Sequence, residues 1–581
     1  MPGRHRSAGP SYRRRAARLP VVVAVFAVAA AGGILLVQNL AGAGGCSTTD
    51  GLRLRVAADP AIAPVLREVA VDWTDADEPE VNGLCVAVEV TEAPTADVAA
   101  QLAAAAGGAI DVAAGQPTTS PGPDAVPHVW VPDSSYWVAR VRSVSRSFFE
   151  PELPSLATSP IVLGVTDAGK AVVGEGPIEP AALRQPLLAP LVNPGQPPPL
   201  PLLLSEPRRD TAGLVGAFWV QSAVVASDQD LPALVGIFRA QGEAPRDTAA
   251  LLPAFQQGVA AAPMSEQAVV AHNAADVEVE LTAVPVANAP VLDFPYAVVD
   301  RLPQTVQTAA DMFLVALAQA PEVFTEHGFR APDGTAGPGF PTGHGVTADP
   351  VAPTPVQPPE RFDLARRIWT SATSDARVLS VVNVNASMQE TMLMPDGTPV
   401  SKLQVFQQAA RRGLEMFTAG TDLGHWEYAV GLDGERDWIE GVPIELLDDD
   451  HKQRILAAID GLQTVPTNES ALFETLLAAY RAMKEGYDPS RSNTLVMWTD
   501  GGQSKSGGLT LQQTLRELER LADLTRPIRV ILLGLGPGAD MAQLQALADA
   551  TGGAAFQIPD PAQIETIFLR ALLALPPEPV T

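Results

Sequence analysis

Hydrophobic positions along this chain follow two periods in turn. Leu52, Leu54 and Val56 are spaced by two with Arg53 and Arg55 between them, which predicts a half-buried strand. Ile62, Val65, Leu66, Val69 and Trp73 then recur at three- and four-residue steps, the apolar face of a helix. The cycle repeats with a strand over Cys85–Val90, a helix over Thr95–Ala106 with Thr95 as its cap, and a third strand at Ile110–Val112. Farther on, an apolar strand within His128–Trp137 delivers Asp133, Ser134 and Ser135 to its end, and Thr158-Ser159-Pro160 precedes a strand at Ile161–Val165. Such alternation predicts a parallel sheet with right-handed crossovers.

The second half repeats the rhythm. Val378–Met388 reads VLSVVNVNASM, an apolar run that breaks into Asn383, Asn385 and Ser387 at alternate positions. Leu403, Phe406, Ala410, Leu414 and Phe417 outline a helix, His425–Val430 a strand and Ser470–Met483 another helix. Asn493–Trp498 is a buried-type strand ending in Thr499-Asp500-Gly501. Helices over Leu509–Leu524, Met541–Ala550 and Ile564–Leu573 alternate with strands at Ile528–Leu533 and Ala554–Ile558. The expected result is a doubly wound sheet, which builds its ligand or cation site where strand ends bring oxygen-bearing side chains together. Ala331–Pro359 is dense in Gly and Pro, which predicts a domain boundary and a partly extended spacer, and Phe362–Trp369 a short helix after it.

Composition narrows the function. A length of 581 residues exceeds one ordinary core, and a formal charge of −27 argues against a general nucleic-acid binder. Residues 1–18 carry six arginines and no acid, and Leu19–Val37 is an uncharged apolar run long enough to span a bilayer. Arginines on that side predict a cytoplasmic tail (1–18), a transmembrane anchor (19–40) and an extracellular remainder. Two rivals stay open: a cleaved signal peptide ending near Ala41-Gly42-Ala43, and lipidation of Cys46. Cys46 and Cys85, the only two cysteines, predict a disulfide in an oxidising compartment, contributing about 3–4 kcal/mol; lipidation would exclude it.

Taken with Ser265-Glu266-Gln267, Asp293-Phe294-Pro295-Tyr296 and Gly328-Phe329-Arg330, the motifs of the first half resemble a bacterial extracellular solute-binding protein of the two-lobed, periplasmic-binding-protein-like group. The resemblance implies a ligand held between lobes, with Ser134, Ser135, Thr158, Ser159 and Ser265 in the cleft and Tyr296 on the hinge side. Each serine equally suits a helix cap or turn. Arg208 and Arg209, beside Asp210, suit either an anionic ligand or a solvated surface pair.

The second half resembles the von Willebrand factor A (VWA) family, through its first loop, Thr499-Asp500-Gly501, Gly534-Leu535-Gly536 and Thr551-Gly552-Gly553. That family's first loop normally reads Asp-x-Ser-x-Ser; here it reads Asn-x-Asn-x-Ser. The resemblance implies Mg²⁺ or another divalent cation held by Asn383, Asn385, Ser387, Ser470 and Asp500, with an acidic group of a protein partner completing the shell. Asparagine removes a full negative charge from the first loop and leaves Asp500 as the anionic candidate, a degenerate metal-ion-dependent adhesion site. Glu469 offers compensation. The alternative is that the asparagines only satisfy turn hydrogen bonds.

The expected protein is therefore α/β: a two-lobed periplasmic-binding-protein-like domain (46–345), a Pro-rich linker (346–369) and a doubly wound, mainly parallel, Rossmann-like VWA domain (370–576), behind one N-terminal transmembrane helix. No nucleophile elbow, His-Glu-x-x-His helix or P-loop is present, which predicts a non-enzymatic binding protein. Its expected partners are a small molecule in the first domain, a protein at the second, the membrane and no nucleic acid. The alternative is the solute-binding component of a transport system.

Overall fold

The first strand, β1 (Leu52–Ala58), is the centre of the first sheet in the computed structural model, which describes residues 51–573 apart from 113–125, 152, 194, 276, 357, 395, 419, 502, 524–525 and 560–562. Helix α1 (Ala63–Asp77), the short β2 (Glu80–Val81), β3 (Leu84–Glu92), α2 (Thr95–Ala105), β4 (Val129–Val131) and α3 (Ser135–Val144) follow. Strands β3 and β4 both lie parallel to β1. Ile110–Val112 forms no strand, against expectation. This segment is held by arginines instead: Arg140 Nη2 donates to the Asp111 carbonyl, and Arg366 pairs with its carboxylate. Thr95 is not a cap; it is the first residue of α2, and Pro94 precedes the helix.

The second lobe is built on β5 (Ser159–Val165), buried at every position. After helices α4 (Thr211–Val224) and α5 (Leu231–Ala240) come β6 (Ala261–Ser265), α6 (Glu266–Ala274), β7 (Thr282–Pro285) and β8 (Val291–Leu292). All three strands run antiparallel to β5, so the expected parallel pattern fails in this lobe. The chain then crosses Asp293–Tyr296 back to the first sheet, adding β9 (Ala297–Val298) antiparallel to β4 before α7 (Gln304–Ala318).

The Gly/Pro-rich stretch packs along the second lobe. Ala283 N–H donates to the His344 carbonyl (2.7 Å), Val291 N–H to the Thr354 carbonyl (2.7 Å), and Val356 is fully buried. Arg330 forms a bidentate pair with Glu266 (2.7 and 3.0 Å), both buried, and also donates to the carbonyls of Thr347 and Asp349. Helix α8 (Glu360–Thr373) joins the same core: Trp369 packs edge-on against Phe238 of α5, and its Nε1 donates to Glu206. Residues 346–369 therefore belong structurally to the first domain, a consequence of the apolar face that Phe362, Ala365, Ile368 and Trp369 give α8.

The second domain begins at β10 (Ala376–Asn383). A hairpin of β11 (Thr391–Leu393) and β12 (Pro399–Ser401) leads into α9 (Lys402–Met416), then β13 (Asp422–Asp433), β14 (Arg436–Leu446), α10 (Asp449–Gly461), β15 (Glu469–Ser470), α11 (Leu472–Glu485), β16 (Ser492–Thr499), β17 (Gln503–Ser504), α12 (Leu511–Leu521), β18 (Arg529–Leu535), α13 (Met541–Asp549), β19 (Ala554–Ile558) and α14 (Ile564–Leu572). The main sheet runs β14-β13-β10-β16-β18-β19, parallel throughout except for the β13–β14 hairpin. One face packs on α9, α10 and α14 and the other on α11, α12 and α13. Strand order reverses between β10 and β16, which opens a crevice at their carboxyl ends.

Candidate binding sites

Register puts the two diagnostic residues of the second domain side by side. Val382 of β10 pairs with Trp498 of β16, so Asn383 ends its strand beside the Thr499–Asp500 corner. Asn383 Nδ2 donates to Asp500 Oδ1 at 2.8 Å. The Asn385 N–H donates to Asn383 Oδ1 (3.0 Å), and Ser387 Oγ donates to Asn385 Oδ1 (2.6 Å). Asn383, Asn385 and Asp500 are all buried. Ser470 sits on the β15–β17 ribbon near the Tyr428 hydroxyl, its buried Oγ without a well-formed hydrogen bond; Asn385 Nδ2 is likewise buried and unpartnered among the described residues. Glu469 reaches neither: it accepts from Ser506 N–H (3.2 Å) and Oγ (2.6 Å).

Lys402 was not among the expected residues, yet it completes this site. It is the first residue of α9, with a side chain only 9% exposed, and its ammonium lies 3.6 Å from Asp500 Oδ2 and 2.6 Å from Glu390 Oε2. Its charge bears directly on the fit of a divalent ion. Mg²⁺ needs near-octahedral oxygen donors, usually including carboxylates. Here Asn383 Oδ1 and Asn385 Oδ1 already accept hydrogen bonds, and the one carboxylate, Asp500, has an amide on one oxygen and an ammonium facing the other. These residues do not fit a divalent cation.

The expected cleft residues of the first domain also find partners inside the protein. Ser134 Oγ donates to Asp133 Oδ1 (3.0 Å) and lies 3.1 Å from Thr211 Oγ1, to which Trp137 Nε1 donates at 2.9 Å. Ser135 N–H donates to Asp293 Oδ1 (2.7 Å), and Thr158 Oγ1 to the Ala331 carbonyl (2.9 Å). Ser159 Oγ accepts from Gln267 N–H, and Ser265 caps α6. Tyr296 is buried, its hydroxyl donating to the Ala310 carbonyl (2.9 Å). The contacts at Thr211 join α3 of the first lobe to α4 of the second. Arg209 and Arg246 both reach Asp97, and Arg208 pairs with Glu206 at 2.8 Å. Neither Arg208 nor Arg209 is a solvated surface pair: their side chains are 14% and 10% exposed.

Beneath these contacts lie three neighbouring carboxylates, which sequence reading did not join. Asp59, just past β1, accepts from Thr95 Oγ1 (2.7 Å) and Ala61 N–H (3.0 Å); burial raises its pKa to about 6. Burial first, and repulsion from Asp59 second, push Asp133 well above the ordinary carboxylate range. Burial also raises Asp210, the N-cap of α4. Between the two domains is a cavity of about 230 Å³ lined by Arg239, Arg529, Ser374, Thr418, Thr494 and Leu573, among others.

Fold and sites thus define a two-module architecture: a two-lobed α/β domain and a doubly wound domain with its loops gathered at the switch point. Residues 54–330, the span of the two lobes, match the family model "Bacterial extracellular solute-binding protein". Over 552 residues the chain is 26% identical to an uncharacterized protein of Mycobacterium tuberculosis, covering 88% of this chain and 76% of that one. Solved structures with local likeness include the sulfate-binding protein SubI of M. tuberculosis (15% identity, TM-score 0.34, 48% of this chain and 87% of that one). Another is a von Willebrand factor type A protein from Catenulispora acidiphila (18% identity, TM-score 0.28, 35% and 42%). Among the described residues no helix is long and apolar enough to cross a membrane, and no cysteine is free. Leu19–Val37 and Cys46 lie outside the described residues.

Proposed function

We propose that this chain is a non-enzymatic extracellular binding protein in which a solute-binding-type module and a VWA-type module recognise different partners. The observation that carries this reading is the pairing, in one chain, of the two-lobed segment 54–330 with a doubly wound domain whose Asn383–Asp500 corner lies at the switch point. Open α/β sheets bind at that point. The first module takes a small molecule and the second a protein. Leu19–Val37 anchors the chain in the membrane, and Cys46 pairs with Cys85.

Native mass spectrometry of the chain extracted from membranes tests this. Expected results are a co-purifying small molecule, an intact N-terminus and a mass two protons below that of the reduced chain. A chain released into the medium without residues 1–43 would overturn the anchor. Capture of a tight ligand together with a permease, and no protein bound at the second module, would favour the transport alternative.

A further inference from the structure

We infer that Lys402 is a built-in counter-cation for Asp500, so that the binding edge of the second domain works without a divalent metal. Charge is the first argument. The Asp500 side chain is 1% exposed, and a buried carboxylate needs a positive or hydrogen-bonding partner. The Lys402 ammonium supplies the charge, and Glu390, 65% exposed, covers it from the solvent side.

The second argument is the match between Lys402 and Asn383. A carboxylate at position 383 would set two buried anions against one ammonium. The amide instead gives Asp500 a donor at 2.8 Å and offers its own oxygen to the Asn385 N–H. Asparagine and lysine are thus two halves of one replacement. Placement is the third argument. A cation on the first residue of a helix opposes the helix dipole, so Lys402 is held there by its two carboxylates. Gly536, at φ +82°, leaves it room: an added Cβ would lie 3.3 Å from Lys402 Cε.

A protein docking here meets the exposed Glu390 carboxylate over the buried Lys402–Asp500 pair, and chelators leave the contact intact. That consequence rests on the binding role proposed above, whereas the ion tests below can be decided with no partner in hand.

The test uses the full chain and Mn²⁺ alone, with paramagnetic resonance for bound ion and thermal unfolding for stability. The wild type is expected to bind no Mn²⁺ at millimolar concentration and to show no shift in Tm. Lys402→Ala should unfold at a lower temperature. Adding Asn383→Asp should create a site that takes up one Mn²⁺ and recovers most of the lost stability, and Asp500→Asn should abolish that uptake. Stoichiometric Mn²⁺ on the wild type, lost in Asp500→Ala, would overturn the inference. So would a double variant that folds by circular dichroism yet binds no ion. Should the double variant fail to fold, amine acylation of the wild type decides. Lys402 should react several-fold more slowly than Lys170, equally with Mn²⁺ or chelator. Equal reactivity of the two lysines, or exposure of Lys402 on adding Mn²⁺, would contradict the assignment.

Discussion

The interlobe region of the first domain and the switch-point edge of the second are both places where an α/β fold gathers polar groups, and each closes on itself differently. In the first, closure is distributed. Ser134, Thr211, Trp137 and Asp97 are linked by hydroxyl, indole and guanidinium contacts drawn from both lobes, above carboxylates raised by burial. In the second, closure depends on one charge, Lys402, between two carboxylates. The neutral hydrogen bonds among these, each worth about 1 kcal/mol net, can be exchanged one at a time for a ligand or for water, and Asp97 keeps a second cation, Arg246, when Arg209 leaves it. A single buried ion pair resists that, because removing one member strands the other. The first arrangement suits opening, and the second suits a fixed contact surface.

The sharpest way to break this comparison is Lys402→Ala. With Asp500 left uncompensated, the second domain should lose about 3 kcal/mol, and hydrogen exchange should quicken in β10 and β16 while β1 and β5 stay protected. An unchanged exchange pattern would mean that the charge is dispensable. Next comes Thr211→Val, which removes the acceptor of Trp137 Nε1 and a partner of Ser134. A loss of about 2 kcal/mol, confined to the first domain, is expected in denaturant unfolding.

Asp59 gives a test by pH. Its folded-state pKa of about 6 lies above the ordinary 3.8, so between these values the folded chain keeps a proton that the unfolded chain has lost. The stability it contributes is therefore full below pH 4 and falls away as pH rises through 6. Asp59→Asn should stabilise the first domain at pH 7 and lose that advantage below pH 4; a gain independent of pH would show another cause. Smallest is Ser387→Ala, which deletes one hydrogen bond to Asn385 and should cost about 1 kcal/mol, read as a small fall in the Tm of the second domain.

Much of the second domain was legible because its central strands, such as Ser492–Thr499, are apolar on both faces and its helices have one apolar stripe. β14 and α10 were missed. Arg436–Leu446 is a half-exposed edge strand whose charges mask its alternation, and Asp449–Gly461 buries only a narrow stripe at His451, Ile455 and Ile459. In the first domain, Ile110–Val112 has the composition of a strand but no place in the ladder, because β4 occupies that side of β1.

At the site, Asn383 and Asp500 were legible from their positions at strand ends. Lys402 was not, since the β11–β12 hairpin carries the chain away before α9 brings it back. One signal was present: a lysine opening a helix, near a loop that has lost its acidic residue, implies an anion nearby. The cleft serines were legible as polar strand and helix ends, but no sequence pattern distinguishes a serine awaiting ligand from one already bonded across the lobes.

The most direct measurement is a calorimetric titration of Mn²⁺ into the wild-type full chain, repeated on Asp500→Ala. With Lys402 as the resident cation, both titrations should show no saturable heat at millimolar ion. A saturable, one-to-one binding isotherm on the wild type that vanishes in Asp500→Ala would contradict it.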